Sequence, residues 1–169
     1  MPNWAIHLIV PLLALLIVIR REDWKYIFLL MPLAVVPDLD TFLTQHRALL
    51  HNIFIPVVFL ILGWKFYEYR TIFIISAVYF ASHVVLDMFG GGVVLFYPFY
   101  DRMAFVNASL SIEQPINIIY TFDYGFSEYS SGWKNALGYI TDSPGTGGLV
   151  FVLLAGICQL YRNKLKRYQ

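Results

Sequence analysis

The sequence predicts an all-α integral membrane bundle of about five transmembrane helices, with a mixed aromatic-rich extracytoplasmic segment between the fourth and fifth. Three observations predict it. Of the 169 residues, 59% are hydrophobic and 14% charged, against roughly 45–50% and about 25% in soluble domains. Mean hydropathy is +0.63. The aromatic share is 18%, as expected where Trp and Tyr line membrane interfaces. A soluble helical bundle would need far more polar outer surface than these residues offer.

Five apolar runs supply the expected helices, at about residues 4–19, 24–37, 48–64, 71–89 and 148–162 of one membrane domain. The first is bounded by the charged stretch 20–25 and lacks the charged region and cleavage site of a removed signal, so it reads as a retained span. The second ends on Pro37-Asp38, and the third starts inside a His-rich connection. Gly90, Gly91 and Gly92 end the fourth, and the turn-forming SPGTGG at 143–148 precedes the last. Several runs fall short of the about 20 residues that cross a bilayer core. That shortness favours a sunken polar recess at the end of the second run.

The insertion at about 90–147 is no flexible tether. VVLFYPFY and RMAFVNASLSI are expected to form two short strands joined around Asp101-Arg102, a small β-hairpin. IEQPINIIYTF is expected as a short helix or interfacial segment, and the aromatics of the insertion are expected at the bilayer interface. The turn-rich stretch from 123 onward supports no assignment.

Basic residues predict the topology. Arg20, Arg21, Lys25, Lys65, Arg70, Arg162, Lys164, Lys166 and Arg167 fall on one side; Arg47, Arg102 and Lys134 fall on the other. The positive-inside rule makes the first side cytoplasmic. A multi-pass protein of the plasma or inner membrane follows, with its N-terminus outside and its C-terminus inside. The net charge of +1 leaves no basic footprint for nucleic acid. The single Cys158 excludes disulfides within the chain and a cysteine-based zinc site.

Residues 37–52, PDLDTFLTQHRALLHN, concentrate the polar chemistry. They hold Asp38, Asp40, His46 and His51, half of the four histidines in the chain. On the predicted topology, His7, His83 and Asp87 lie toward the same membrane face. His83 and Asp87 are one helical turn apart, and Asp38 and Asp40 in an extended turn would aim the same way. Imidazole and carboxylate suit zinc, manganese and other divalent ions. Seven candidate ligands (His7, Asp38, Asp40, His46, His51, His83 and Asp87) exceed the need of one tetrahedral zinc, which points to two or three ions. The bland alternatives are a hydrogen-bonded interior histidine at 7, a helix stop at Pro37-Asp38 and inter-helix bonds from His83 and Asp87. Against all being incidental stands the cost of ionisable groups inside a membrane.

His7, PDLD at 37–40, HRALLH at 46–51 and SHVVLD at 82–87, with Tyr97-Pro98 after the glycines, resemble the membrane-bound metal-dependent hydrolases of the YdjM type. That pattern runs His, Pro-Asp-x-Asp, His-Arg-Gly-x-Thr-His-Ser, then Ser-His-x-x-x-Asp, so here Ala48 replaces Gly, Leu50 replaces Thr and Asn52 replaces Ser. A hydroxyl that could orient a histidine is therefore absent. The resemblance covers about residues 5–98. It implies a distant likeness to zinc-dependent phospholipase C and the P1-type nucleases, and makes the seven residues above the metal-site positions.

These readings lead to a metal-dependent hydrolase of phosphoester bonds facing the extracytoplasmic side, with a lipid or lipid-linked substrate such as a phospholipid. Asp40 would hold the attacking water or bridge ions, and Arg47 would clamp phosphate or snorkel at the interface. The rivals are a metal-ion transporter and a non-enzymatic membrane scaffold with a structural metal.

Overall fold

The computed structural model describes residues 4–42, 47–113 and 117–130. In order these form helix α1 (Trp4–Val18), a 3-10 turn (Arg21–Asp23), helix α2 (Trp24–Leu30), two further 3-10 segments (Met31–Ala34 and Val36–Phe42), helix α3 (Phe54–Lys65), a 3-10 turn (Tyr67–Tyr69), helix α4 (Arg70–Phe89) and strands β1 (Met103–Glu113) and β2 (Asn117–Ser127).

This corrects the expected five-span all-helical bundle. Among the described residues there are four helices and a two-stranded antiparallel sheet. One helical stretch, Tyr67–Phe89 at 23 residues, is long and apolar enough to cross a membrane. The apolar helices α1 and α3 are shorter, at 15 and 12 residues. The run at 148–162 lies outside the described residues.

Prolines explain two of the differences. Pro32 lacks an N–H and would crowd the carbonyl of Phe28, so the helix expected over 24–37 stops at Leu30 and tightens into 3-10 turns. Pro56 would break a helix begun at 48, but fits the first turn of one begun at Phe54, where its missing N–H has no partner to lose. Asn52 marks that start. Its Oδ1 accepts from the N–H groups of Phe54 (3.0 Å) and Ile55 (3.2 Å), and its Nδ2 donates to Leu49 O at 2.6 Å. The position expected to lack an orienting hydroxyl thus caps a helix, a task Ser performs about equally well. Asn52→Ala is expected to cost about 1 kcal/mol, with Asn52→Ser close to neutral; unfolding midpoints of the two variants check this.

The hairpin also differs from expectation. β1 pairs with Asn117–Ser127, whose first half is expected as part of a helix or interfacial segment and whose residues from 123 onward support no assignment, in a register from Met103↔Ser127 to Glu113↔Asn117. The expected partner, the VVLF stretch, contributes a single bridge, Val93↔Ala104. Alternation explains the pairing: Ile118, Tyr120, Phe122, Tyr124 and Phe126 stand at period two.

Two apolar clusters position the site. Leu12 and Leu15 of α1, Ile27 of α2, Ala34 of the following turn, and Ile75 and Tyr79 of α4 are buried together. The fully buried Tyr79 also donates its hydroxyl to Ile27 O at 2.8 Å, tying α4 to α2. At Gly63, α3 meets α4 so closely that a Cβ would lie 3.1 Å from Phe73 Cβ. The second cluster, Ala48, Val94 and Met103, packs the base of the hairpin on the loop after Arg47, with Tyr97 and Tyr129 against it.

Candidate metal centre

The site is assembled from three places in the chain: the 3-10 segment Val36–Phe42, the turn at 47–53 and the last turns of α4. Asp38, His51, His83 and Asp87 each offer a ligand atom, and these four atoms lie within 4.8 Å of one another. His51 Nε2 is 3.1 Å from His83 Nε2, 3.6 Å from Asp38 Oδ1 and 3.2 Å from Asp87 Oδ2. His83 Nε2 is 3.4 Å from Asp38 Oδ1 and 3.7 Å from Asp87 Oδ2.

Each imidazole is held from behind. His83 Nδ1 lies 2.6 Å from the carbonyl of Ala34, and His51 Nδ1 lies 2.8 Å from Asp40 Oδ2. Both acceptors require the proton on Nδ1, so both Nε2 lone pairs face the centre. Two lone pairs and two carboxylate oxygens then converge, an arrangement that repels itself unless a positive charge lies among them. Asp87 Oδ2 is buried and makes no hydrogen bond among the described residues; its 3.2 Å approach to His51 is an ion-pair contact without hydrogen-bond geometry. Two nitrogens and two oxygens match the donor set of a four-coordinate divalent ion. This buried group could hold a metal ion.

Without an ion, a proton can serve instead. Burial by itself lowers the pKa of His51, but its contacts with Asp38, Asp40 and Asp87 outweigh that and push it up to about 10. Burial would raise the carboxyl of Asp38, yet its bonds to His51 and His83 hold it below the usual carboxylate range.

The structure separates residues that the sequence could only group. Asp40 is fully buried and stands behind His51, where it also accepts from the backbone N–H of Arg47 and of Leu50, both at 3.4 Å. Asp38 and Asp40 do not aim together from an extended turn. In a 3-10 helix two residues apart are about 240° apart around the axis, so they reach opposite nitrogens of His51. His7 lies outside the four-donor group: its Nε2 is 3.4 Å from Asp87 Oδ1 and its ring stacks on His83 at 4.0 Å. His46 lies outside the described residues.

Arg47 does not snorkel. It is buried, with a left-handed backbone at φ 64°. Its Nη1 and Nη2 donate to the carbonyls of Gly92 and Gly90, both at 3.3 Å, and its Nε is 3.9 Å from Asp87 Oδ2. The glycines permit this cradle. Gly91 and Gly92 take φ of 122° and 100°, and a Cβ on Gly91 would lie 3.1 Å from Arg47 Nη1.

Sequence reasoning missed the Ala34 carbonyl, which carries no side-chain signal, and Tyr129, which packs on the Ala48 cluster from an unassigned stretch. It also missed an apolar groove of about 620 Å³ between the 47–53 turn, α3 and the loop at 97–99, lined by Leu50, Phe54, Val58, Phe59, Tyr97 and Phe99 among others.

The model of the YdjM inner membrane protein family matches residues 1–165. No curated protein and no solved structure matches the chain significantly.

Proposed function

Because the chain belongs to the YdjM inner membrane protein family, we propose that this membrane protein is a metal-dependent hydrolase acting on phosphoester bonds. The carrying observation is the convergence of two oriented Nε2 lone pairs and two carboxylates on one buried point. Asp38, His51, His83 and Asp87 would hold a divalent ion, zinc being the best match to two nitrogens and two oxygens. Such an ion supplies Lewis acidity, lowering the pKa of water and stabilising charge on phosphoryl oxygens.

The chain's own residues do the rest. Asp40 and Ala34 keep both imidazoles in the ligating tautomer. The Arg47 guanidinium flanks Asp87 and partly offsets its negative charge, while His7 Nε2 lies 3.4 Å from the other carboxylate oxygen. The Arg47 Nε–H, without a hydrogen bond among the described residues, is the donor left for a phosphoryl oxygen. The Asp38 side chain, at 12% exposure, is where the group reaches the surface. The apolar groove lined by Leu50, Phe54 and Tyr97 suits the hydrocarbon of a lipid or lipid-linked ester, and its volume lies within the roughly 300–1,000 Å³ of ligand pockets. The distant likeness to zinc-dependent phospholipase C and P1-type nucleases that the motifs imply would favour a phosphoester over other bonds. Lys65 and Arg70 flank the start of α4 and the site lies at its other end, which by the positive-inside rule supports a site on the outer side.

Deep burial of the group favours a rival reading, a purely structural metal. Translocation is less favoured, since Ser76, within α4, spends its hydroxyl on Ile72 O at 3.0 Å. Turnover decides. Purified protein is expected to hydrolyse chromogenic phosphodiesters or labelled phospholipids, with activity abolished by chelator and by Asp38→Ala. Activity surviving both treatments would overturn the mechanism, and bound metal without turnover would establish the structural role.

A further inference from the structure

The β1–β2 hairpin carries two unlike faces. β1 and β2 have 11 residues each, so the ribbon extends roughly 37 Å. On one face Val106, Ala108 and Leu110 stand opposite Tyr124, Phe122 and Tyr120. Four of these are large exposed groups, Leu110, Tyr120, Phe122 and Tyr124, with Leu110 71% exposed, Tyr120 65% and Tyr124 71%. The other face carries Asn107, Ser109 and Ser111 opposite Asp123, Thr121 and Ile119, with a hydroxyl pair between Ser109 and Thr121 at 2.6 Å.

The aromatic face does not end with the ribbon. Phe126 packs on Phe96 and Tyr100, with ring centroids at 6.5 and 5.4 Å. Phe99, in the same loop, packs on Phe54 at 5.7 Å, at the start of α3. From there exposed Val57, Val58, Leu60, Ile61 and Trp64 continue along α3. A continuous run of exposed apolar side chains of this kind marks an interaction surface.

We propose that the aromatic face of the hairpin lies in the headgroup–acyl boundary of the bilayer, as an interfacial anchor separate from the helices. Continuity with the apolar face of α3 in an inner membrane protein commits the occupant to lipid. Among the described residues, the outer edge of β2 and that of β1 beyond the Val93–Ala104 bridge face no further strand, which disfavours the hydrocarbon core, where such backbone groups would find no partner. At the interface, water and headgroups satisfy those edges, while Tyr places its ring in the apolar layer and its hydroxyl in the polar one. Residues 103–127 contain no Lys or Arg, so the anchor needs no anionic lipid. Its base is fastened to the metal-site loop: Met103 packs on Ala48, and Val94 N–H donates to Arg47 O at 2.8 Å. The anchor therefore sets the height of that loop relative to the headgroups.

The test uses the full chain in phosphatidylcholine vesicles, with Cys158→Ser and single cysteines at 107, 108, 109, 110 and 111 carrying a fluorescent label. Quenching by a nitroxide on a shallow acyl carbon should alternate along the strand, several-fold stronger at 108 and 110 than at 107, 109 and 111. Aqueous iodide should give the inverse pattern, unchanged when anionic lipid is added. Uniform quenching by iodide at all five positions would overturn the proposal. So would protection at 108 and 110 that disappears in nanodiscs holding one chain each, which would assign the face to a second copy. The hydrolase reading stands or falls separately, since this readout needs neither metal nor turnover.

Discussion

A His83→Ala, Asp87→Ala chain is expected to purify without the divalent metal that the wild type carries. The double variant removes two of four donors, one imidazole and one carboxylate, leaving a site no stronger than a pair of surface side chains. Elemental mass spectrometry of both proteins, purified side by side, checks it. A wild type holding no more metal than the variant would remove the metal centre. Because Asp87 also faces His7 and Arg47, its loss leaves buried polar groups unpaired. Breaking such a buried pair typically costs about 3–5 kcal/mol. The double variant should therefore be accompanied by Asp87→Asn, which keeps the shape and still loses affinity. The pH dependence has a definite sign. His51, with its pKa at about 10 in the metal-free chain, holds a proton at neutral pH. An incoming ion must displace that proton, so affinity should rise with pH up to about 10 and metal uptake should release protons. A flat affinity between pH 6 and about 9 would contradict the ligand assignment of His51.

Asp40→Ala is expected to lower metal affinity by about 10–100-fold without abolishing binding, the usual effect of removing a group behind a ligating histidine. Asp40 holds the Nδ1 proton of His51 at 2.8 Å and receives the backbone N–H groups of Arg47 and Leu50. Without it, His51 can rotate or change tautomer, and two buried donors lose their acceptor. Asp40→Asn retains an acceptor oxygen and should fall between wild type and Ala. The opposite result, in which both variants lose metal as completely as Asp87→Asn, would make Asp40 a direct ligand. Metal titration with a chromophoric competitor distinguishes the two.

The convergent Asp38, His51, His83 and Asp87 were among the seven candidates legible in the sequence, because ionisable groups inside apolar runs are costly and persist where they have partners. Their division into roles was not. Asp38 and Asp40 are the same residue type two positions apart, and the tightness of the turn between them decides which nitrogen of His51 each meets. That tightness follows from Pro32 and Pro37 acting on neighbouring turns, which apolar periodicity does not register. Arg47 was legible as a charged residue beside two ligands. Its burial was not, since its partners are carbonyls of Gly90 and Gly92, more than forty residues away. The hairpin shows the same limit. The alternation from Ile118 to Phe126 was present in the sequence, yet whether Met103–Glu113 pairs with it or with the VVLF stretch depends on where the chain reverses, which periodicity does not register.

The sequence by itself determined the apolar character of this protein, the His and Asp inventory of the centre, and the family to which its motifs point. Each rests on residue type and local spacing. Tertiary structure alone decided which four donors converge, which acceptors orient them, and that Met103–Glu113 pairs with Asn117–Ser127 as an amphipathic ribbon. Those outcomes depend on contacts between distant segments, whose free energies are set by packing and hydrogen-bond geometry and not by composition.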